Sequence, residues 1–374
     1  MTHDEKYMEM ALKLALRGVG RVEPNPAVGC VIVKAHQVIG KGYHKEFGGQ
    51  HAEVNAIEDC KNLGAKPKDA TMYVTLEPCC HIGKTGPCAE AIIAAGLKKV
   101  VVAVIDPAEH AAGKGIEQMR EANIEVEVGL CQKQAELINP WYFKFARTGR
   151  PWVVLKWAQS IDAKLARQTG TEDKRAWISN DKSRKDAHKL RRASQGILVG
   201  VNTIIADNPE LTPRPAGESK PFRIVLDSNL RIPTDSKLLK TASKSPVLIM
   251  TTNEAVDAAG DKAQKIENAG AQLVYVPRTE SGCELEVVLR ELGARGVQQL
   301  LVEGGPKIIA SFLEQQLADA VQIYIAPTIL GMAGSAGMNE SIGQISKHLD
   351  LSNVEIKDFD GDVCISGFLS EGPL

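Results

Sequence analysis

The sequence predicts two consecutive α/β domains, and three observations carry that prediction. Its length of 374 residues exceeds what one core of roughly 150 residues occupies. Short runs of β-branched and apolar residues alternate with helical patterns along the chain. The alternation pauses at Arg147-Thr148-Gly149-Arg150-Pro151, where Gly followed closely by Pro stops a helix and marks a boundary. The domains are accordingly read as residues 1–147 and 148–374.

Taken in order, Met8, Ala11, Leu12 and Ala15 recur at i, i+3, i+4, i+7 and predict an amphipathic opening helix. The runs 28–33 and 38–44 read as a β-hairpin. A helix begins near His51, followed by a strand over 71–77, a helix over 88–95 and a buried strand over 99–105. Helix 115–123 and strand 124–128 complete the first domain, and one linker helix spans about 132–145. The second domain repeats the alternation: strand 152–158, helix 181–193, then strands 196–201, 222–227 and 246–250. Helix 255–269, strand 272–276, helix 284–293, strand 298–303, helix 306–317 and strand 320–326 follow.

Composition narrows the function. The chain is 44% hydrophobic and 24% charged, as in ordinary globular proteins. Lys+Arg 45 against Asp+Glu 46 lacks the basic excess of a nucleic-acid-gripping protein. The opening MTHDEKYMEMALKLALRG has neither the basic n-region nor the apolar h-region of a secretory signal. No stretch approaches the roughly 18 apolar residues of a membrane span. Eight cysteines without a secretory signal point to thiols or metal ligands rather than a disulfide framework. These features predict a cytoplasmic, soluble protein large enough for two well-buried cores, with neither nucleic acid nor membrane as partner.

Three features of the first domain converge on metal chemistry. His51-Ala52-Glu53 stands where a helix begins, Cys79 follows Pro78 at a strand end, and Cys88 follows Pro87 at the next helix start. One imidazole and two thiolates are zinc ligands, and a catalytic zinc keeps a fourth place for water, whose pKa it lowers to about 7. Glu53 is the natural proton carrier, because at a helix N-terminus His51 and Glu53 can converge on the axis. A positive helix end also favours ionised thiols. A purely structural zinc with Cys80 or His81 as fourth ligand is the competing reading. Against it, Cys80 directly follows Cys79, and neighbours along a strand point to opposite faces. H-x-E followed by P-C-x-x-C is the zinc-deaminase signature; here eight residues separate the cysteines.

The segment 75-TLEPCCHIGKTGPC-88, with 25-NPAVG-29, 42-GYHKEFGGQHAE-53 and 113-GKG-115, resembles the bifunctional riboflavin-biosynthesis deaminase–reductases, the RibD/RibG family. That family carries the longer loop between the cysteines. The resemblance implies a cytidine-deaminase-like three-layer α/β/α fold for the first domain. It also implies that Asn25, His44, His81, Lys84 and Asp106 line a substrate pocket, with Lys84 suited to a phosphate. Ala108 stands where the family usually has Asn.

In the second domain, 302-VEGGP-306 is a strand, a Gly-Gly turn and a helix start, a geometry that lets backbone N–H groups approach an anion. Together with the segments 150–166, 177–191, 197–214 and 223–233 it resembles the family's reductase domain, which has a dihydrofolate-reductase-like α/β fold and uses NADPH. The resemblance places Ala158, Trp177, Thr203, Asp207, Ser228 and the run Gly305, Pro306, Lys307, Ile308, Ile309, Ala310, Ser311 against the cofactor. It places Lys156, Arg175, Arg191, Leu211, Arg214 and Glu303 against the substrate. Arg191 and Arg214 suit a phosphate, which a guanidinium binds in bidentate fashion. Lys156 within a strand is costly to bury without a partner, which favours a functional role. Arg175 occupies a position where the family usually has Ser, and Ala163 one where Gly is common.

The implied function is a two-step enzyme using Zn2+ and NADPH. It would deaminate 2,5-diamino-6-ribosylamino-4(3H)-pyrimidinone 5′-phosphate with Glu53 shuttling the proton, then reduce the ribosyl side chain to ribityl with Lys156 as a catalytic group. A cytidine-, guanine- or tRNA-adenosine-type deaminase fits the long inter-cysteine loop and the whole second domain less well. A zinc-dependent scaffold would not need Glu53 beside three ligands. A homodimer is the default assembly for such enzymes.

Overall fold

The computed structural model describes residues 1–80, 86–109, 111–166, 177–215, 220–334, 337–338, 345–346 and 348–369. The chain divides into two compact units, Met1–Thr148 and Gly149 onward.

The first unit comprises α1 (His3–Ala15), β1 (Gly29–Lys34), β2 (Gln37–Tyr43), α2 (Ala52–Asn62), β3 (Thr71–Val74), α3 (Cys88–Ala94), β4 (Lys99–Val102), α4 (Lys114–Glu121), β5 (Glu125–Val128), α5 (Gln132–Ile138) and α6 (Pro140–Thr148). Its sheet runs β2-β1-β3-β4-β5. β1 is antiparallel to both β2 and β3, whereas β3, β4 and β5 are parallel. Strand alternation divides the core between two faces. Cys30, Ile32, Met72, Val74, Val100 and Val102 pack against α2, α3 and α4, while Val31, Val33, Tyr73 and Val101 pack against α1 and Phe143 of α6. The result is a three-layer α/β/α unit. The opening helix buries Met8, Ala11, Leu12 and Ala15 as its spacing requires. The predicted hairpin forms through Ala35 and His36, both at positive φ (48° and 60°), as a tight two-residue turn demands.

The second unit comprises β6 (Trp152–Ser160), α7 (Asp181–Ala193), β7 (Gly196–Gly200), α8 (Val201–Asp207), β8 (Phe222–Leu226), α9 (Lys237–Lys240), β9 (Val247–Thr251), α10 (Asn253–Ala258), α11 (Gly260–Asn268), β10 (Gln272–Tyr275), the short pair β11 (Arg278–Thr279) and β12 (Gly282–Cys283), α12 (Leu285–Ala294), β13 (Gln299–Val302), α13 (Pro306–Glu314), β14 (Ala320–Ala326), β15 (Ser352–Phe359) and β16 (Asp362–Phe368). Nine strands form one sheet in the order β10-β9-β8-β7-β13-β6-β14-β16-β15. The strands from β10 to β14 are parallel to their neighbours, and β16 and β15 add an antiparallel edge. One face carries Leu155, Leu198, Ile224, Leu300 and Val302 against α12 and α13. The other carries Ile197, Val199, Val225 and Ile249 against α8, α9 and α11.

Three sequence readings are corrected. The single linker helix over 132–145 is two helices, α5 and α6, because Asn139 precedes Pro140 and a residue before proline is pushed out of the helical region. The single helix over 255–269 is likewise two, broken at Ala259 (φ −131°, ψ 39°). The strand read as 71–77 ends at Val74, which leaves Thr75–Cys79 free to turn towards the site.

Candidate active sites

In the first unit, His51 is the N-cap residue of α2, and Cys88 opens α3 directly after the capping Pro87. Cys79 lies beyond the end of β3. His51 Nδ1 is 3.2 Å from Cys88 Sγ and 3.5 Å from Cys79 Sγ, and the three donor atoms lie within 4.8 Å of one another. Usual zinc bond lengths in a tetrahedron put nitrogen and sulfur about 3.6 Å apart, so the trio has the chemistry and the spacing of a zinc site. The Cys88 N–H donates to Cys79 Sγ at 3.4 Å. Hydrogen bonding from Cys88 pulls the Cys79 thiol well down, whereas the same contact with Cys79, together with burial, pushes Cys88 up. Metal ligation requires both thiols as thiolates, so an arriving cation would release their protons.

Glu53, in the first turn of α2, is 3% exposed. Burial pushes its carboxyl up to about 7 against the pull of His51, placing it where a proton carrier works at neutral pH. His44 is buried with its ring 5.3 Å from that of His51, and its Nε2 has no hydrogen-bond partner among the described residues. Burial, then His51, lowers its pKa, so it is a neutral group. Asp106 is buried, and its Oδ1 accepts from the Tyr142 hydroxyl at 2.8 Å and from the Ala108 N–H at 2.9 Å. Asn25 is partly exposed in the turn before β1. That turn is clamped by Asn139, whose amide accepts from the Ala27 N–H at 2.7 Å and donates to the Ala27 carbonyl at 2.9 Å. The sequence reading missed Asn139; its one signal was an Asn-Pro pair inside a supposed continuous helix. His81 and Lys84 lie outside the described residues.

The second unit holds a cavity of about 320 Å³ at the C-terminal ends of β7 and β8. Its wall includes Thr203, Ser228, Gly305, Pro306, Lys307, Ile308 and Ser311, seven of the residues assigned to the cofactor from sequence. Ala158, Trp177, Asp207 and Ala310 are not part of that wall, and Ile309 belongs to the apolar core. The cavity is apolar at Val201, Leu226 and Leu285, and it adds one cation that sequence reasoning missed, Arg231, whose Nη2 donates to Asn202 Oδ1 at 2.8 Å. The signal was legible only in part, because Arg231 is five residues past the end of β8 in a loop whose course the pattern does not reveal.

Lys156, Arg191 and Glu303 come together. Arg191 Nε donates to both Glu303 carboxylate oxygens at 3.0 Å, and Nη2 reaches the same carboxylate. The remaining Nη1 bonds the Thr212 carbonyl at 3.2 Å. Arg191 therefore turns its fork to Glu303, a pairing that the sequence reading did not include. Arg214, 66% exposed, donates from Nη2 to Glu210 Oε2 at 3.2 Å. Burial raises and Arg191 lowers the pKa of Glu303, with the net shift downward, so it is a carboxylate. Burial lowers that of Lys156, opposed by Glu303. The Lys156 ammonium lies over the ring of Tyr324, 5.3 Å from its centre, and the Tyr324 hydroxyl donates to Asp186 at 2.9 Å. Leu211 is buried at positive φ (55°) in the core. Arg175 lies outside the described residues.

Residues 1–104 match the family model of the cytidine and deoxycytidylate deaminase zinc-binding region, and residues 151–365 match that of the RibD C-terminal domain. A zinc-dependent deaminase joined to a reductase is the class of enzyme that the two folds and these matches define. Among curated relatives, the riboflavin biosynthesis protein RibD of Aquifex aeolicus is 41% identical over 363 residues, covering 97% of this chain and 97% of that protein. RibD of Escherichia coli is 37% identical, covering 88% and 89%. The structure of Acinetobacter baumannii RibD superposes with a TM-score of 0.81 at 34% identity, covering 99% of each chain. A deaminase/reductase from Thermotoga maritima superposes with a TM-score of 0.78 at 32% identity, covering 98% and 99%. The chain belongs to the RibD family: it is a bifunctional deaminase and reductase of riboflavin biosynthesis, with Zn2+ and NADPH as cofactors. Among the described residues no helix is long and apolar enough to cross a membrane.

Proposed function

We propose that residues 1–147 deaminate 2,5-diamino-6-ribosylamino-4(3H)-pyrimidinone 5′-phosphate and that residues 148–374 reduce the ribosyl side chain of the product to ribityl. The observation that carries the first half is the His51, Cys79, Cys88 trio with the buried Glu53 beside it. The Thermotoga maritima relative is itself named a diaminohydroxyphosphoribosylaminopyrimidine deaminase and 5-amino-6-(5-phosphoribosylamino)uracil reductase. His51, Cys79 and Cys88 hold the zinc, which when bound makes water nucleophilic at neutral pH. Glu53 takes the proton released as water adds to C2 and delivers it to the departing amino group, so that ammonia leaves. Asn25, His44, His81, Lys84 and Asp106 orient the pyrimidine and its phosphate.

In the second half NADPH, when bound, supplies hydride to C1′ of the opened ribose. Ala158, Trp177, Thr203, Asp207, Ser228 and Gly305–Ser311 position the cofactor, the cavity wall supporting seven of them. Lys156 is the catalytic cation at the ribose end. Arg175, Arg191, Leu211, Arg214 and Glu303 contact substrate, with Arg191 and Arg214 suited to its phosphate. The Arg191–Glu303 pair fixes the charge around Lys156. A homodimer is supported by the edge strand β15, which exposes Val354 (49%) and Ile356 (70%) as a template for pairing with another copy. A cytoplasmic setting agrees with eight free thiols in a reducing compartment.

Glu53→Gln should keep its zinc and lose ammonia release by a factor of about 10²–10⁴, and Lys156→Ala should lose NADPH oxidation while still releasing ammonia. Ammonia release at the wild-type rate from Glu53→Gln, or equal loss of both reactions in Lys156→Ala, defeats the assignment. Turnover of cytidine with none of the phosphorylated pyrimidinone defeats the substrate.

A further inference from the structure

Glu77 stands two residues before Cys79, and neither the metal trio nor the pocket described above uses it. Its side chain is buried, 4% exposed. Its two oxygens collect four backbone N–H groups: Oε2 accepts from Asp106 at 3.1 Å and Gly113 at 3.0 Å, and Oε1 accepts from Gly115 at 3.0 Å and Ile116 at 3.3 Å. All four donors belong to the connection after β4 and the first turn of α4. The Glu77 N–H completes the tie by donating to the Val104 carbonyl at 3.0 Å.

The Gly113-Lys114-Gly115 motif acquires a physical reason here. Gly113 has φ +75°, a conformation that suits glycine and turns its N–H to Glu77. A Cβ on Gly115 would stand 2.0 Å from the carbonyl oxygen of Pro78, the residue that precedes Cys79. The connection is therefore pressed against the backbone that carries the thiolate, and Glu77 stitches the two together. At the start of the same connection is Asp106, whose N–H is one of the four donors.

We propose that Glu77 is a positioning residue of the deaminase centre: one carboxylate ties the backbone of Cys79 and the backbone of Asp106 to a single anchor, so that metal ligand and pocket wall hold a fixed relation. The inference rests on the zinc and substrate reading above. A carboxylate is required because only it offers lone pairs for four donors. An amide at 77 would keep one accepting oxygen and turn an NH2 group towards two of the backbone N–H groups.

The test uses the full-length protein, stripped of metal and titrated with Co(II) alone, whose visible absorption reports thiolate ligation. Glu77→Gln and Gly115→Ala disturb the same contact from its two sides. Each should weaken Co(II) binding by about 10–100-fold, the range for losing an outer hydrogen-bonding partner. Each should also reduce the sulfur-to-cobalt charge-transfer band, while far-UV circular dichroism and NADPH oxidation on the deaminated substrate stay at wild-type values. A folded Glu77→Gln protein with wild-type Co(II) affinity and spectrum overturns the proposal. So does loss of the fold in both variants before any metal is added, because Glu77 then only holds the unit together. Absence of the charge-transfer band in the wild-type protein overturns instead the zinc reading on which the proposal stands.

Discussion

Replacing Glu303 with glutamine removes the carboxylate that, among the described residues, pairs with Arg191, and leaves that guanidinium and the Lys156 ammonium without their shared counter-charge. The Arg191 and Glu303 side chains are 20% and 11% exposed, so the pair is largely out of water. Removing one partner of a buried pair costs about 3–5 kcal/mol, and the residual exposure places this one near the lower end. A loss of about 3 kcal/mol shifts the folded-to-unfolded ratio by about two decades. Urea titration followed by tryptophan emission reports it, because Trp152 and Trp157 are buried on β6, the strand that carries Lys156. A second readout tests the electrostatics. Burial already lowers the Lys156 pKa, Glu303 opposes that and Arg191 adds to it. Without Glu303 the ammonium loses its proton at lower pH still, and the alkaline limb of NADPH oxidation should move to lower pH. A folded-state Lys pKa below its unfolded value means that the unfolded chain binds more protons, so stability contributed by this site rises with pH; the substitution should extend that rise to lower pH. A stability loss under about 1 kcal/mol, with the alkaline limb unmoved, would refute the claim that Glu303 neutralises both cations.

Three further outcomes are expected. Ala163 sits at φ +61°, where a Cβ costs about 1–2 kcal/mol, so Ala163→Gly should raise the urea midpoint of the second unit; a lowered midpoint contradicts the strain. The Ser160 hydroxyl, with the N–H groups of Leu330 and Gly331, holds Asp162 down to about 2. Its stabilisation is present above the unfolded value of about 3.9 and is lost as pH falls through 2, so Asp162→Asn should flatten the acid limb of stability between those values, and superimposable limbs would exclude the effect. Arg231 brings a cation to the cavity wall, and among the described residues its guanidinium has one side-chain hydrogen-bond partner, the Asn202 amide oxygen. Arg231→Ala should therefore weaken NADPH binding, measured by fluorescence titration, about tenfold more than NADH binding; equal losses would remove Arg231 from any phosphate-discriminating role.

Much of the fold was legible because burial imposes period. The hydrophobic spacing of α1, and the continuous apolar runs of β7, β9 and β13, follow from packing on one face or both. Elements escaped where that constraint was weak. α8 is only seven residues, Val201–Asp207, and follows β7 directly, with Gly200 both ending the strand and capping the helix. β15 is exposed on both faces, so its sequence shows no core side, and β16 is recognisable chiefly through its pairing with β14. The small β11–β12 pair is two residues on each side, too short for any period.

The sequence by itself determined the donor chemistry of the first unit. His51 and Cys88 were expected at helix starts and are found there, whereas Cys79, expected at a strand end, lies five residues beyond β3. Tertiary structure alone decided which charges meet. Arg191 and Glu303 are far apart in the chain, and only the adjacency of β13 to β7 and of α7 above them brings the guanidinium to that carboxylate. Glu77 likewise reads as one acid among many until the fold brings four amide donors to it. Local pattern records what a residue prefers to do with water and with its near neighbours; the partner of a buried polar group is set by chain segments that no short window contains.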